Sequence, residues 1–239
     1  MKAKSRSVSS AQRNIHPKLL KQLERHRNSV WRKPDTDTDR PALNKLNAAL
    51  DRHDGPVILD SFCGTGLSTE SIARDHPDAL VIGIDKSAHR LAKAPPATER
   101  MLFLQASCEK VWRHLARESV SVTRHLILYP NPWPKHEHLS RRVYGHPAFF
   151  DLLKLGGQLD LRSNWQPYIE DFGRALLHLK IPAAVSLLSE PRSPTTLFER
   201  KYRSSGQQLW QLSACLHVEQ NVRLDLKNSG GAPNTSSSN

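Results

Sequence analysis

The sequence predicts an α/β fold: a doubly wound, mostly parallel sheet that ends in an antiparallel C-terminal hairpin. Three observations carry that reading. From Gly55 onward, short apolar runs alternate with stretches of helical periodicity, as expected for parallel strands buried on both faces. The first run opens into a loop holding Gly64 and Gly66 before a helical stretch, and the second ends on Asp85, nineteen residues after Gly66. The last two strand-like runs follow one another with no helical pattern between them, which requires antiparallel pairing.

The elements follow in chain order. Leu19, Leu20 and Leu23 recur at helical spacing and Trp31 closes the run, so a basic helix is expected from about Pro17 to Val30. Pro34 and the Asp-Thr-Asp-Thr-Asp stretch end it, and a second short helix presents Leu43, Leu46 and Leu50 on one face. Strands are expected at Val57 to Asp60, Leu80 to Asp85, Met101 to Gln105 and His125 to Tyr129. Helices fill the gaps at Leu67 to His76, Ser87 to Ala94 and Glu109 to Arg117. After the Gly156-Gly157 turn come a strand at Gln158 to Ser163 and a helix from Trp165 to about Leu179. Strands near Ala183 to Ser189 and Leu209 to Val218 close the domain.

Charge divides the chain further. Its 239 residues carry 35 Lys+Arg against 23 Asp+Glu, a net charge of +12. Residues 1–50 hold 12 of the basic residues and only four acids, two thirds of the excess. Residues 1–54 therefore read as a basic arm with short helices, either a solvated tail or an arm laid along a phosphate backbone with Trp31 free to stack on a base. Residues 55–225 form the domain, and the Ser/Asn/Gly-rich residues 226–239 read as a disordered tail.

Several classes are excluded. The composition fits neither collagen, nor a coiled coil, nor a wholly disordered chain. Cys63, Cys108 and Cys215 form no Cys-x-x-Cys pair, and His136 and His138 stand without further ligands nearby, so neither a disulfide framework nor a metal site is expected. No segment approaches an apolar membrane span, and the basic N-terminus lacks the apolar core of a secretory signal. A cytoplasmic protein is the expectation, with monomer and homodimer both open.

The glycine loop narrows the ligand. A phosphate-binding P-loop would need Gly-x-x-x-x-Gly-Lys, which is absent, and the third position of a dinucleotide fingerprint is Thr69. Asp60, at the end of the first strand, would repel a pyrophosphate. S-adenosylmethionine carries an ammonium and a sulfonium and no phosphate, so Asp60 favours it, while Asp85 can accept hydrogen bonds from ribose hydroxyls. A plainer role for both acids is capping the helices that follow.

The fourth strand ends in Tyr129-Pro130-Asn131-Pro132-Trp133-Pro134-Lys135, followed by Arg141-Arg142. Closely spaced prolines stiffen this loop. Here the chain resembles the tRNA (guanine-N7)-methyltransferase family of the TrmB type, as a diverged member, from about Val57 to Leu212. The first-strand acid and glycine loop look like Asp60, Gly64 and Gly66, and the second-strand acid like Asp85. The family's P-D-P-W-x-K and R-R motif is similar to Pro130–Lys135 with Arg141-Arg142. Its T-D-W-x-x-Y block is similar to Ser163–Tyr168, and its T-x-F-E block to Thr196-Leu197-Phe198-Glu199.

The resemblance implies a Rossmann-like class I methyltransferase that uses S-adenosylmethionine to methylate N7 of a guanine in the variable loop of tRNA. It places Asp60, Gly64, Gly66, Asp85, Ser107 and Asn131 at the cofactor and Asn131 at the reaction. Lys135, Arg141, Arg142, Asn164, Thr196, Leu197, Phe198 and Glu199 fall at the substrate. Trp133 can stack the target base, and Trp165 either stacks or packs in the core. Three family acids are neutral here, at Asn131, Asn164 and Ser107. That departure raises two alternatives: a non-catalytic RNA- or cofactor-binding paralogue, and an exocyclic-amine methyltransferase acting on adenine or cytosine through Asn131-Pro132-Trp133.

Overall fold

Each apolar run read as a strand is one. In the computed structural model, which describes residues 5–37, 39–189 and 195–216, the five parallel strands are β1 (Val57–Ser61), β2 (Leu80–Asp85), β3 (Met101–Gln105), β4 (Arg124–Leu128) and β5 (Gln158–Ser163). With β6 (Ala183–Leu187) and β7 (Trp210–Cys215) they form one sheet in the order β3-β2-β1-β4-β5-β7-β6. Strand β7 is antiparallel to both of its neighbours.

Alternation along the strands builds two cores. Val57 and Leu59 of β1 enter the larger apolar cluster, and Ile58 between them enters the smaller one. Ile127 on β4 joins the first, while Leu126 and Leu128 join the second. The larger cluster is covered by α1 (Leu19–Arg27), α2 (Arg40–Leu50), α5 (Cys108–Arg117), α6 (Phe149–Lys154) and α7 (Gln166–His178). The smaller cluster takes Ile72 from α3 (Leu67–Asp75). A single turn, α4 (Ala88–Leu91), follows β2, with Ser87 as its N-cap.

The basic N-terminal segment is part of this core. Leu19 and Leu23 on α1 and Leu46 on α2 are fully buried, and each such side chain stabilises by about 1.5–3 kcal/mol relative to exposure. Asp39 pairs with Lys110, and Asp35 with Arg113, both on α5. The Arg113 guanidinium lies 4.5 Å from the Trp31 ring centroid, and the His146 ring meets Trp31 edge-on at 4.9 Å. Trp31 is thereby committed to the protein instead of to a base, and a solvated tail does not describe residues 5–54. The charge nevertheless stays outside, because Lys18, Lys21 and Arg25 remain exposed.

The C-terminal pair is antiparallel as expected, but its two strands are not consecutive elements. A helix, α8 (Leu197–Arg203), lies between β6 and β7. Its signal is present in the sequence: Thr196-x-x-Glu199 has capping-box spacing, and the Thr196 hydroxyl accepts from the Glu199 backbone N–H at 3.0 Å. Helix α6 and the two 3₁₀ turns at His136–Arg141 and Val143–Gly145 were likewise hidden between the fourth strand and the glycine turn. Val218 and the tail at 226–239 lie outside the described residues.

Candidate active site

Parallel pairing brings the C-terminal ends of β1 to β5 to one edge of the sheet, which is where ligands bind in folds of this class. Asp60, Asp85, Ser107, Asn131 and Asn164 all fall at that edge. The backbone there is strained: Phe62 after β1, Tyr129 after β4 and Trp133 have φ of 64°, 55° and 46°. Non-glycine residues held in this region cost free energy and concentrate at functional loops. Gly66 shares the left-handed conformation at φ 73°, and a Cβ there would sit 2.6 Å from the Phe103 ring. Only glycine lets α3 begin so close to β3.

Asp60 is fully buried. Its Oδ2 accepts from Ser68 Oγ at 2.6 Å and Thr69 Oγ1 at 2.7 Å, both in the first turn of α3. Its Oδ1 is buried with no hydrogen-bond partner among the described residues. Burial, with a further push from the Asp85 charge and against the two hydroxyls, raises the Asp60 carboxyl to about 6. Asp85 is organised differently. Its Oδ1 accepts from Ser87 N at 2.8 Å, and its Oδ2 accepts from Gly64 N at 3.1 Å and Arg90 Nη1 at 3.0 Å. Arg90 is half exposed and lies over Gly64. Both acids therefore also brace the helices that follow them.

The loop after β4 is fixed by its own turn and by its neighbours. Asn131 is exposed, and its Oδ1 accepts from Trp133 N–H at 3.3 Å. The Arg141 guanidinium lies 4.7 Å from the Trp133 ring centroid, and the His138 ring stands edge-on at 5.4 Å. Lys135 and Arg141 are exposed at the rim. Ser107 is the N-cap of α5 and donates its hydroxyl to Glu109.

Two residues expected at the substrate are turned inward. Arg142 is completely buried, its guanidinium paired with Asp171 at 3.0 Å and lying 4.9 Å from the Trp165 ring. It holds the loop and is out of reach of a phosphate, while Trp165 packs in the core. Glu199 is also fully buried, accepting from Arg162 at 2.8 Å and Arg203 at 3.3 Å. It fastens α8 to the end of β5. The neighbouring Leu197 and Phe198 are exposed, and Thr196 caps the helix beneath them. Asn164 donates to Gln207 at 2.8 Å.

The profile of the family described as "Putative methyltransferase" matches residues 54–212. The chain belongs to this methyltransferase family. A curated relative, the tRNA (guanine-N(7)-)-methyltransferase of Mycolicibacterium paratuberculosis, is 29% identical over 187 residues, covering 72% of this chain and 71% of the relative. The enzyme of the same name from Mycolicibacterium gilvum is 27% identical over 219 residues, 84% of this chain and 80% of its own. Among solved structures, a 16S rRNA (adenine-N1)-methyltransferase variant from Catenulisporales acidiphilia, with S-adenosylmethionine as cosubstrate, matches at TM-score 0.51 and 18% identity. That match covers 76% of this chain and 92% of the other.

The resemblance read from the motifs is borne out in the family: this is a methyltransferase, and it shares its fold with a solved enzyme that takes S-adenosylmethionine as cosubstrate. The residues fit that cofactor. An orphaned, buried carboxylate oxygen at the end of β1 suits a cationic donor such as an α-ammonium, and the Asp85 carboxylate lies at the glycine loop, where it accepts from Gly64 N–H. Sequence reasoning missed Asp171, Arg162 and Arg90. Asp171 had a visible signal, being a carboxylate among Tyr168, Ile169, Phe172, Ala175 and Leu176 on the apolar face of α7.

Proposed function

We propose that this methyltransferase transfers the methyl group of S-adenosylmethionine to N7 of a guanine in the variable loop of tRNA. The observation that carries the reading is the Asn131 amide. Its oxygen already accepts one hydrogen bond, from Trp133 N–H at 3.3 Å, while its Nδ2 donors bond to none of the described residues and are free for a substrate. A donor suits the O6 acceptor on that edge of guanine and leaves the lone pair of the neighbouring N7 free to attack the methyl carbon. An exocyclic amine would instead need an acceptor, which Oδ1 could offer only alongside the Trp133 N–H it already accepts. The name shared by the curated relatives supports the same choice.

S-adenosylmethionine, when bound, supplies an electrophilic methyl carbon on a sulfonium. Asp60 would hold its ammonium, Asp85 its ribose hydroxyls, and Gly64 and Gly66 would let the backbone approach. Guanine N7 already bears a lone pair, so the chain's task is alignment more than deprotonation. Asn131 would orient the base edge on a loop stiffened by Pro130, Pro132 and Pro134. Lys135 and Arg141 would take phosphates at the rim, with Leu197 and Phe198 forming the apolar side of the entrance. The purine gains positive charge as it is methylated, and Asn131 supplies no compensating charge.

The test is purified protein with the methyl donor and unmodified tRNA, read by mass spectrometry of the digested RNA. The expected product is 7-methylguanosine. N6-methyladenosine or N4-methylcytidine would overturn the choice of base. Donor binding with no methylated nucleoside from several RNAs would instead establish a binding paralogue.

A further inference from the structure

Four successive backbone carbonyls of the loop after β4 are each held from outside it. Trp133 O accepts from Arg142 Nε at 3.1 Å, and Lys135 O from Arg142 Nη2 at 3.4 Å. Pro134 O accepts from the Ser10 hydroxyl at 2.7 Å, and His136 O lies 3.1 Å from His16 Nε2. Two of the four anchors thus come from residues 10–16, which precede the matched family region altogether.

The same N-terminal residues also hold the other anchor, Arg142. Gln12 Oε1 accepts from Arg142 Nη1 at 2.9 Å, while Gln12 Nε2 donates to Asp171 Oδ2 at 2.9 Å. The His16 backbone N–H donates to Asp171 Oδ1 at 2.8 Å. Tyr144 completes the cluster, its hydroxyl bonding both Asp171 at 2.9 Å and Arg142 at 3.1 Å. Gln12 and His16 are themselves buried. A buried ion pair whose remaining donors and acceptors are satisfied in this way is a rigid frame.

We propose that residues 10–16 are a positioning strap for the acceptor loop, with Ser10 and His16 holding its carbonyls directly and Gln12 and His16 acting through Arg142 and Asp171, to fix where Asn131 meets the substrate. None of these three side chains needs to touch cofactor or base. Prolines restrict the loop's internal dihedrals but leave it free to swing as a body about its ends. The strap removes that freedom. The frame sits at the loop and not at Asp60 or Asp85, so it governs turnover and leaves the donor site intact.

The inference rests on the loop being the acceptor side of the site, and its test reads loop and chemistry separately. In full-length Ser10→Ala and Gln12→Ala proteins, amide hydrogen exchange at Trp133, His138 and Arg142, whose N–H groups are bonded within the loop and its turn, should accelerate. Turnover should fall by about tenfold for Gln12→Ala, as misplacement of a reacting group does, with the dissociation constant for S-adenosylhomocysteine unchanged. Ser10→Thr keeps the hydroxyl and should show the exchange of the natural protein. Unchanged exchange at Trp133, His138 and Arg142 in both variants would overturn the strap, as would a parallel loss of donor affinity. Failure of the wild-type protein to form 7-methylguanosine would overturn the proposed reaction instead, leaving the exchange result to stand on its own.

Discussion

Arg142 and Asp171 form an ion pair at 3.0 Å in which both side chains are fully buried. One comes from the motif region after β4 and the other from the middle of α7. The pair joins the loop after β4 to the helical layer beneath it, and its energetics differ from those of a surface bridge. Removing one partner leaves the other charged and uncompensated. Asp171→Ala should therefore cost about 3–5 kcal/mol in denaturant-induced unfolding. The double variant Arg142→Met with Asp171→Leu should recover much of that loss, and a double-mutant cycle with no coupling would refute the pairing.

Donor binding should depend on pH through Asp60. Its folded pKa of about 6 lies above the ordinary 3.8. In the unliganded protein it contributes stability below pH 3.8 that is lost as the pH rises through 6. An ammonium group reverses the preference by favouring the carboxylate. Affinity for S-adenosylhomocysteine should fall as the pH drops below about 6, with a proton released on binding. Calorimetry in two buffers of different ionisation enthalpy checks this, and Asp60→Asn should abolish the proton release.

Arg90 should compete with the donor for Asp85. Its guanidinium is half exposed, so the pair it forms is worth only about 0.2–1 kcal/mol. Arg90→Ala should tighten S-adenosylhomocysteine binding by about 1.4- to fivefold, since this is that energy converted. Weaker binding in the variant would show that Arg90 contacts the ligand.

Asn131→Asp restores a carboxylate beside the purine that gains charge. If the missing charge limits turnover, this variant should methylate tRNA several times faster than the natural protein under single-turnover conditions. An equal or lower rate would assign Asn131 to hydrogen bonding alone.

The exposed Lys18, Lys21 and Arg25 on α1 should contact RNA phosphates. A truncation of the segment would remove Leu19 and Leu23 from the core, so the charges must be tested in place. Replacing all three by Gln should lower the slope of log affinity against log salt by about two. An unchanged slope would show that α1 carries its charge for solubility or for a protein partner.

Strand positions, the glycine loop and the two acids could be read from the sequence because they depend on local pattern: apolar runs, a conformational demand on Gly66 and acids at strand ends. Arg142 and Glu199 misled because a motif gives residue type and spacing but not which way a side chain turns. Arg142 faces a carboxylate twenty-nine residues away on α7, and Glu199 faces Arg162 across the end of β5. Neither partner has any periodic relation to the motif. The arm misled for a similar reason. Its leucines are spaced for a helix, yet nothing in their spacing names the surface they cover.

Strand order has a consequence for assembly. Strand β6 is made before β7 but reaches the sheet only through β7, which lies between it and β5. Until residues 210–215 arrive, β6 lacks the strand it pairs with, and Val185 and Leu187 stay without their native partners on a nascent chain. Five parallel strands can form while synthesis continues, whereas the last two must dock together once the chain is nearly complete. Stop codons upstream of Trp210 should accordingly yield aggregation-prone products with a bare β5 edge, and not shortened enzymes.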